Sequence, residues 1–278
     1  MKQPQTKKRL DHLLSERRPD LSRNRIRAEI MAGNVFVDGK VVDKPGTMLK
    51  CSADIQLQEA ENPYVSRGGL KLEGAIEALS VDVDGLIVLD VGASTGGFTD
   101  CLLKKGAKLA YALDVGYGQL AFSLRNDPRV VAMERHNVRD LKKEDLSLKP
   151  DLAVVDVSFI SLTKVIPVLY ALGIPLVLAL VKPQFEAGRA DADRGKGVIR
   201  DPELHSRVLN ETAAQACKNG YCCAGMTFSK WPGPKGNIEY FIYLKNNNNK
   251  SCGCLQNISE ITVRVVEQAH RELKTKGG

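Results

Sequence analysis

The chain has 278 residues, of which 43% are hydrophobic and 26% charged; this composition supports one large domain or two unequal ones and excludes a wholly disordered chain. The net charge of +7 is unevenly placed, because residues 1–50 hold 12 Lys and Arg against 6 Asp and Glu, which gives +6 in that segment alone. A local basic excess favours a polyanionic partner, although a solvated surface is the simpler explanation.

The apolar segments do not indicate export or a membrane span. The amino terminus starts no apolar run of the kind that a secretory signal needs. The most apolar stretch, residues 165–181, contains Pro167, Gly173 and Pro175, so it predicts a helix end and a short buried strand rather than one spanning helix. We therefore expect a cytoplasmic protein that does not enter a membrane.

Residues 1–60 are predicted to form a small basic unit that starts with two helices. The first helix is expected over Lys7–Ser15. The second is expected over Arg23–Ala32, with Ser22 as its N-cap and Gly33 ending it. Arginines are spread over both helices, and a planar guanidinium can donate two hydrogen bonds to one phosphate.

A hairpin is predicted over residues 35–42, because apolar residues flank Asp38-Gly39, a dipeptide typical of tight turns. Over about residues 8–50, the pattern resembles the RNA-binding domain shared by ribosomal protein S4, pseudouridine synthases and tyrosyl-tRNA synthetases. The resemblance implies a small α+β S4-type RNA-binding domain; a purely structural basic lobe is the alternative. The candidate RNA contacts are Arg9, Arg17, Arg18, Arg23, Arg25, Arg27 and, beyond the unit, Arg67.

Residues 61–65 are predicted to be a linker, because Pro63 interrupts regular structure. Residues 66–245 then alternate strand-like and helix-like patterns, which is typical of doubly wound α/β sheets. We expect a Rossmann-like, seven-strand class I methyltransferase domain. Its predicted strands are 86–91, 109–114, 130–133, 152–155 and 176–181, closed by a hairpin of 226–228 and 238–244.

A glycine-rich turn at residues 92–99 follows the first predicted strand. Its glycines would let the backbone approach a nucleotide-like ligand, and the helix that follows would present free amides. Asp114 ends the second strand 22 residues after Gly92, where an acid that binds ribose hydroxyls is expected; capping of the next turn is the alternative. The predicted cofactor contacts are Asp90, Gly92, Ala93, Ser94, Gly96, Gly97, Phe98, Asp114, Asn137 and Val138.

Four charged residues are expected at one edge of the predicted sheet. Lys71 precedes the first strand, Asp156 and Lys182 follow the fourth and fifth, and Glu239 begins the last antiparallel strand, which lies beside the fifth in this fold. Such a cluster would suit deprotonation of a ribose 2′-hydroxyl, a weak nucleophile that needs a base. A lysine with its ordinary pKa of about 10.4 is protonated and cannot serve.

Burial and a second lysine would lower the pKa of a lysine in this cluster, whereas the two carboxylates would raise it. We expect Lys182 to be the base, Lys71 and Asp156 to orient the hydroxyl and the base, and Glu239 to hold the lysine side chains. Ordinary ion pairing at strand ends is the alternative.

Five runs of residues, 65–72, 89–102, 155–162, 181–188 and 236–239, resemble the TlyA family. That family comprises 2′-O-methyltransferases of ribosomal RNA, formerly labelled hemolysins, with a catalytic domain of the FtsJ type. The resemblance implies a Lys-Asp-Lys-Glu tetrad, matched by Lys71, Asp156, Lys182 and Glu239. It also implies S-adenosylmethionine as methyl donor and cytidine 2′-hydroxyls in ribosomal subunits as targets.

Residues 246–278 are predicted to form an asparagine-rich loop and a final helix over Ser259–Lys274, with Ser259 as N-cap. Seven cysteines in a chain without a signal indicate reduced thiols. Cys222-Cys223 and Cys252-Gly-Cys254 lack the two-residue spacer of zinc sites, so no metal is expected. The four histidines are interpreted as isolated surface or core residues.

Alternative functions are a membrane-acting hemolysin and an RNA-binding scaffold without catalysis. No strong basic amphipathic helix with aromatic anchors supports the first. The intact charged cluster and glycine-rich turn disfavour the second, and the turn spacing disfavours a Rossmann oxidoreductase. We expect a monomer or weak dimer whose partner is ribosomal RNA.

Overall fold

The computed structural model describes residues 7–21, 23–31, 33–57, 62–158, 160–188, 197–247 and 255–274. The chain divides into two compact units, residues 1–68 and residues 69–278. Ser22 and Ala32, at the predicted ends of the second helix, lie outside the described residues, as do Cys252 and Cys254.

The amino-terminal unit is built from short elements, in the order β1 (Lys7–Arg9), α1 (Leu10–Arg17), α2 (Arg23–Met31), β2 (Val35–Val37), β3 (Lys40–Val41), β4 (Met48–Lys50) and β5 (Ile55–Leu57). Strand β1 pairs antiparallel with β4, and a second sheet has the order β3-β2-β5. The two helices and β2 share one core, formed by Leu10, Leu14, Ile26, Ile30, Val35 and Val37.

The first helix begins at Leu10, so the prediction of a helix from Lys7 is wrong. Lys7–Arg9 pairs instead with Met48–Lys50. All three side chains of the strand are exposed, so a helix there would bury no apolar surface, whereas pairing gives the backbone hydrogen-bond partners. The predicted hairpin is confirmed: Asp38 (φ +49°) and Gly39 (φ +76°) both adopt the left-handed conformation that a type I′ turn requires.

The second unit is a seven-stranded sheet flanked by helices. Its elements are α3 (Gly68–Ala78), β6 (Ile87–Val91), α4 (Gly97–Lys104), β7 (Leu109–Asp114), α5 (Phe122–Arg125), β8 (Val130–Glu134), β9 (Leu152–Val155), α6 (Leu162–Ala171), β10 (Leu176–Val181), α7 (Pro183–Glu186), α8 (Pro202–Lys218), β11 (Tyr221–Phe228), β12 (Tyr240–Asn246) and α9 (Leu255–Lys274). The strand order is β11-β12-β10-β9-β6-β7-β8, with β12 antiparallel to both neighbours and the remaining pairs parallel.

Three predicted strands, residues 109–114, 152–155 and 176–181, have the predicted bounds. The closing hairpin differs, because β11 begins at Tyr221 and β12 begins at Tyr240, so Glu239 immediately precedes its strand. The last helix begins at Leu255, and Ser259 lies inside it rather than capping it. Its apolar face extends one turn further back than predicted, to the buried Ile258.

Buried contacts attach α8 and α9 to the sheet. The Nδ1 atom of His205 lies 2.8 Å from the hydroxyl of Tyr240 and 3.1 Å from Nε2 of His270. Burial lowers the pKa of His205 to about 4, so it is neutral at physiological pH. The interpretation of these histidines as isolated is therefore wrong. Among the described residues, no helix has the length and apolar character needed to cross a membrane.

Candidate active site

The parallel strands bring the predicted site residues to one edge of the sheet. In the strand register, Val155 at the end of β9 lies beside Val91 of β6 and Ala179 of β10. Val181 at the end of β10 lies beside Tyr240, the first residue of β12. The residues that follow β6, β9 and β10, and the residue that precedes β12, therefore converge at this edge, as predicted from the order of the strands.

The four charged residues form two ion pairs in the second unit. Lys182 Nζ lies 2.5 Å from Asp156 Oδ1, and Lys71 Nζ lies 2.7 Å from Glu239 Oε2. The side chains of both lysines are largely buried, with 11% of Lys182 and 13% of Lys71 exposed, and Glu239 is completely buried. The structure thus brings together these four side chains, whose formal charges sum to zero.

The surroundings of Lys182 determine its charge in the free protein. Burial opposes the ammonium form, but the negative charges of Asp156 and Glu239 outweigh it and raise the pKa of Lys182 above its ordinary value. The assignment of Lys182 as the base requires a lowered pKa, so the shift in the free protein is opposite to the one that the assignment needs. In the free protein, the effect of the two carboxylates exceeds that of burial, and Lys182 is protonated at neutral pH.

Two residues that sequence reasoning missed surround Glu239. Gln184 Nε2 donates to Glu239 Oε1 at 3.4 Å, on the opposite oxygen from Lys71. A Cβ atom on Gly233 would lie 2.0 Å from that same Oε1, so only glycine fits there without displacing the carboxylate. Gln184 lies in a run used for the family resemblance, whereas no sequence signal marked Gly233.

The glycine-rich turn lies directly against the backbone of Asp156. Gly92 has φ +90°, and a Cβ atom there would lie 2.4 Å from the Asp156 carbonyl oxygen. Gly96, with φ +94°, packs equally closely on Leu124, and the residue after it begins α4. The turn and the charged cluster are therefore parts of one site, and the turn presents the amino-terminal amides of α4.

Asp90 and Asp114 are the two predicted cofactor carboxylates. Asp90 is completely buried, accepts a hydrogen bond from Thr99 Oγ1 at 2.6 Å, and its Oδ1 has no hydrogen-bond partner among the described residues. Burial raises the pKa of Asp90 to about 7. Asp114 accepts from the amide of Ser94 in the glycine-rich turn and from that of Gly116 in the turn after its own strand, both at 2.7 Å. The second bond is the capping that the alternative predicted.

The remaining predicted cofactor residues occupy different surroundings. Phe98 is buried and its ring lies 6.1 Å from that of Phe241. Val138 is buried in the core, whereas Asn137 Oδ1 accepts from the amide of Arg139 at 3.1 Å. Ala93 is buried and Gly97 starts α4.

The seven arginines predicted to bind RNA lie in the amino-terminal unit, and most of them contact other groups of the protein. Arg9, Arg18 and Arg25 each pair with a nearby carboxylate. Arg17 donates to the carbonyls of Ala53 and Cys51 at 3.0 and 2.8 Å. Arg67 donates to the Gly33 carbonyl at 3.1 Å, and burial lowers its pKa. The side chains of Arg23 and Arg27 are exposed.

The strand order, the glycine-rich turn and the site at the carboxyl edge define a class I methyltransferase fold. The profile of the FtsJ-like methyltransferases matches residues 64–246, and that of the S4 domain matches residues 8–55. The chain belongs to the FtsJ-like methyltransferases, in the group of relatives named TlyA, and it is a methyltransferase enzyme.

The similar proteins cover almost the whole chain. A proposed rRNA methyltransferase of Bacillus subtilis, YqxC, is 47% identical over 97% of this chain and 96% of its own. The 16S/23S rRNA (cytidine-2′-O)-methyltransferase TlyA of Mycobacterium tuberculosis is 44% identical over 87% of this chain and 91% of its own. The solved structure of a proposed hemolysin from Streptococcus thermophilus is 40% identical, with a TM-score of 0.76 over 98% of this chain and 99% of that one.

Proposed function

We propose that this enzyme transfers the methyl group of S-adenosylmethionine to a cytidine 2′-hydroxyl of ribosomal RNA. The observation that carries the proposal is the buried cluster of two lysines and two carboxylates beside the glycine-rich turn. The names of the TlyA relatives, which describe rRNA cytidine-2′-O-methyltransferases, support the substrate.

The residues of the turn fit a ligand of this kind. Gly92 and Gly96 let the turn pack against the Asp156 backbone and Leu124, and the start of α4 offers amides. The second oxygen of Asp90 is buried without a partner among the described residues, which suits a polar ligand group or an ordered water. Asp114 retains lone pairs beyond the two amides that it accepts, so it can also bind ribose hydroxyls.

When bound, S-adenosylmethionine supplies an electrophilic methyl group next to a positive sulfonium. Lys182 must be neutral to accept the proton of the 2′-hydroxyl, yet Asp156 and Glu239 hold it as an ammonium in the free protein. A further positive charge at the edge of this low-dielectric cluster lowers the pKa of Lys182 by repulsion. The free protein therefore keeps its base protonated, and cofactor binding favours the neutral form.

The other three residues have positioning roles in this proposal. Asp156 holds Lys182 Nζ, which also donates to Ser158 Oγ at 3.2 Å. Glu239 holds Lys71, which orients the hydroxyl. After methyl transfer, the proton resides on Lys182 Nζ and passes to solvent.

RNA recognition is assigned to residues 1–60, with residues 61–65 as a linker and 66–245 as the catalytic domain. The S4 profile supports this division, and Arg23 and Arg27 are exposed on it. An enzyme acting on ribosomal subunits would work in the cytoplasm.

The test is to incubate the purified protein with labelled S-adenosylmethionine and separated ribosomal subunits, and then to map the modified nucleotide. We expect label on a cytidine ribose. RNA binding without label would instead indicate a scaffold, and label on a base would exclude the 2′-hydroxyl as acceptor.

A further inference from the structure

The Lys182–Asp156 ion pair joins two connections at the carboxyl edge of the sheet. Asp156 begins the loop between β9 and α6, whereas Lys182 is the single residue between β10 and α7. Strand β9 fixes the start of the Asp156 loop, and the other end of that loop leads into α6. A contact from α7 to that other end would hold the loop against Lys182.

Glu186 supplies that contact. It lies one helical turn after Lys182, and its amide donates to the Lys182 carbonyl at 3.3 Å. Its carboxylate reaches the facing loop, where Oε2 accepts from Ser161 Oγ at 2.6 Å and Oε1 accepts from the Leu162 amide at 2.9 Å. Both carboxylate oxygens are therefore engaged at the amino terminus of α6.

Burying the ionised carboxylate of Glu186 costs free energy, which indicates that the carboxylate has a role at this position. Burial raises the pKa of Glu186, which means that the ionised carboxylate is disfavoured by its surroundings. The hydrogen bonds from Ser161 and Leu162 offset that cost, as does the positive end of the α6 dipole. Ser161 already caps α6 by accepting from the Thr163 amide at 3.1 Å, so the helix alone does not require Glu186.

We propose that Glu186 is a positioning residue that fixes the Asp156 loop against the Lys182 turn and so sets the geometry of the Lys182–Asp156 pair. This inference rests on the proposed function. Glu186 does not touch the reacting atoms in this scheme; it acts through Asp156, which holds the base, and through Lys182, the base itself. A displacement of about 1 Å in a catalytic group can reduce a rate by as much as 100-fold. A contact made one helical turn after Lys182 can therefore control turnover.

The test compares Glu186→Ala with Glu186→Gln in the full-length protein. The glutamine keeps a carbonyl acceptor for the Leu162 amide and an amide group that can donate to Ser161 Oγ, so it preserves the link without the charge. Asp201→Ala is the matched control, because Asp201 accepts from the Glu203 amide at 2.9 Å and so caps α8, with no side-chain hydrogen bond to either loop among the described residues. The readouts are kcat, KM, cofactor affinity and the pH dependence of kcat.

We expect Glu186→Ala to lower kcat by about 10- to 100-fold, with cofactor affinity within about three-fold of the parent. The acid limb of its kcat profile should move to lower pH, because Asp156 is no longer held beside Lys182 to raise its pKa. Glu186→Gln should stay within about three-fold of the parent. A kcat within two-fold for Glu186→Ala, an equal loss in Asp201→Ala, or an unmoved acid limb would each overturn the assignment.

A second measurement separates this inference from the proposed function. NMR titration of isotopically labelled lysines, with the Lys182 signal assigned by comparison with Lys182→Arg, reports the ion pair without turnover. We expect a lower pKa for Lys182 in Glu186→Ala than in the parent, and equal values would overturn the inference. If Glu186→Ala does not fold, Ser161→Ala removes one of the two links and should shift the Lys182 pKa in the same direction, whereas no shift would count against it. Parent protein that methylates no RNA refutes the proposed function, whatever this titration shows.

Discussion

Lys182 combines a buried ammonium with two nearby carboxylates, and the proposed mechanism requires its charge to depend on what is bound. In the free protein, Asp156 and Glu239 raise its pKa in spite of burial. In the proposed mechanism, Lys182 is protonated in the free protein and becomes available as a base only when another positive charge enters the cluster. The catalytic role of each residue in the cluster can therefore be tested one side chain at a time.

Lys182→Ala should reduce methyl incorporation by at least about 100-fold, because general base catalysis contributes about 10² to 10⁴ to rates. Cofactor binding should be retained or strengthened, since the turn and Asp114 are untouched and the ammonium that opposes the sulfonium is removed. Transfer of labelled methyl to ribosomal subunits measures the first quantity, and calorimetry measures the second. Lys164→Ala, at an exposed position on α6, is the control and should retain full activity.

Asp90 should make stability depend on pH. Its folded-state pKa of about 7 lies above the ordinary value of 3.8, so the folded protein binds the proton more tightly than the unfolded chain. This stabilisation is complete below the unfolded pKa and is lost as the pH rises through about 7.

Urea unfolding between pH 4 and pH 8 tests this expectation for Asp90. The free energy of unfolding of the parent should fall more steeply with pH over that interval than that of Asp90→Asn, which cannot titrate. The same slope in both proteins would show that the burial of Asp90 does not perturb its ionisation.

At the scale of elements, the site depends on how closely the glycine-rich turn approaches β9. The turn is not simply flexible, because Gly92 has a left-handed backbone and contacts the Asp156 carbonyl. The left-handed conformation constrains the backbone of the turn itself. The contact separately constrains the space between Gly92 and the Asp156 carbonyl. A substitution at Gly92 should therefore affect both cofactor binding and the position of Asp156.

Gly92→Ala should destabilise the protein by more than the roughly 1–2 kcal/mol of left-handed strain alone, because its Cβ also meets the Asp156 carbonyl. Gly85→Ala is the matched control, since Gly85 has φ +70° with open space around it. Chemical denaturation of the two variants separates strain from steric conflict. Equal losses of stability would contradict the close approach of the turn to Asp156.

At the scale of the whole molecule, the first unit offers RNA fewer unpaired positive charges than its number of arginines suggests. Several arginines of the basic first unit are engaged with neighbouring carboxylates, whereas Arg23 and Arg27 are exposed. When exposed cations bind RNA phosphates, counterions are released from the RNA. The slope of log K against log salt therefore reports the number of these phosphate contacts.

The double substitution Arg23→Gln and Arg27→Gln should weaken binding to ribosomal RNA and reduce the slope of log K against log salt by about 2. Filter binding at several salt concentrations measures the slope. Lys164→Gln is the control at an exposed position in the second unit and should leave the slope unchanged. A parent-like slope in the double variant would argue against RNA docking on this unit.

Much of this architecture follows from local sequence patterns. Continuous apolar runs defined three parallel strands with their observed bounds, and Asp38-Gly39 defined the hairpin, because backbone preferences and burial act over a few residues. Strand order then placed the four charged residues at one edge. Lys7–Arg9 was predicted as helix and is a strand, because its partner lies about 40 residues away in sequence.

By itself, the sequence determined the class of fold, the glycine-rich turn and the identity of the charged residues that end the strands. Only the tertiary structure decided the direction of the Lys182 pKa shift, since burial and two carboxylates act in opposite senses and their balance depends on distance. It also revealed the contacts of Gly233, Gln184 and Glu186. The contacts of Gln184 and Glu186 join α7 to residues distant in sequence, and no local pattern records which segments will face each other.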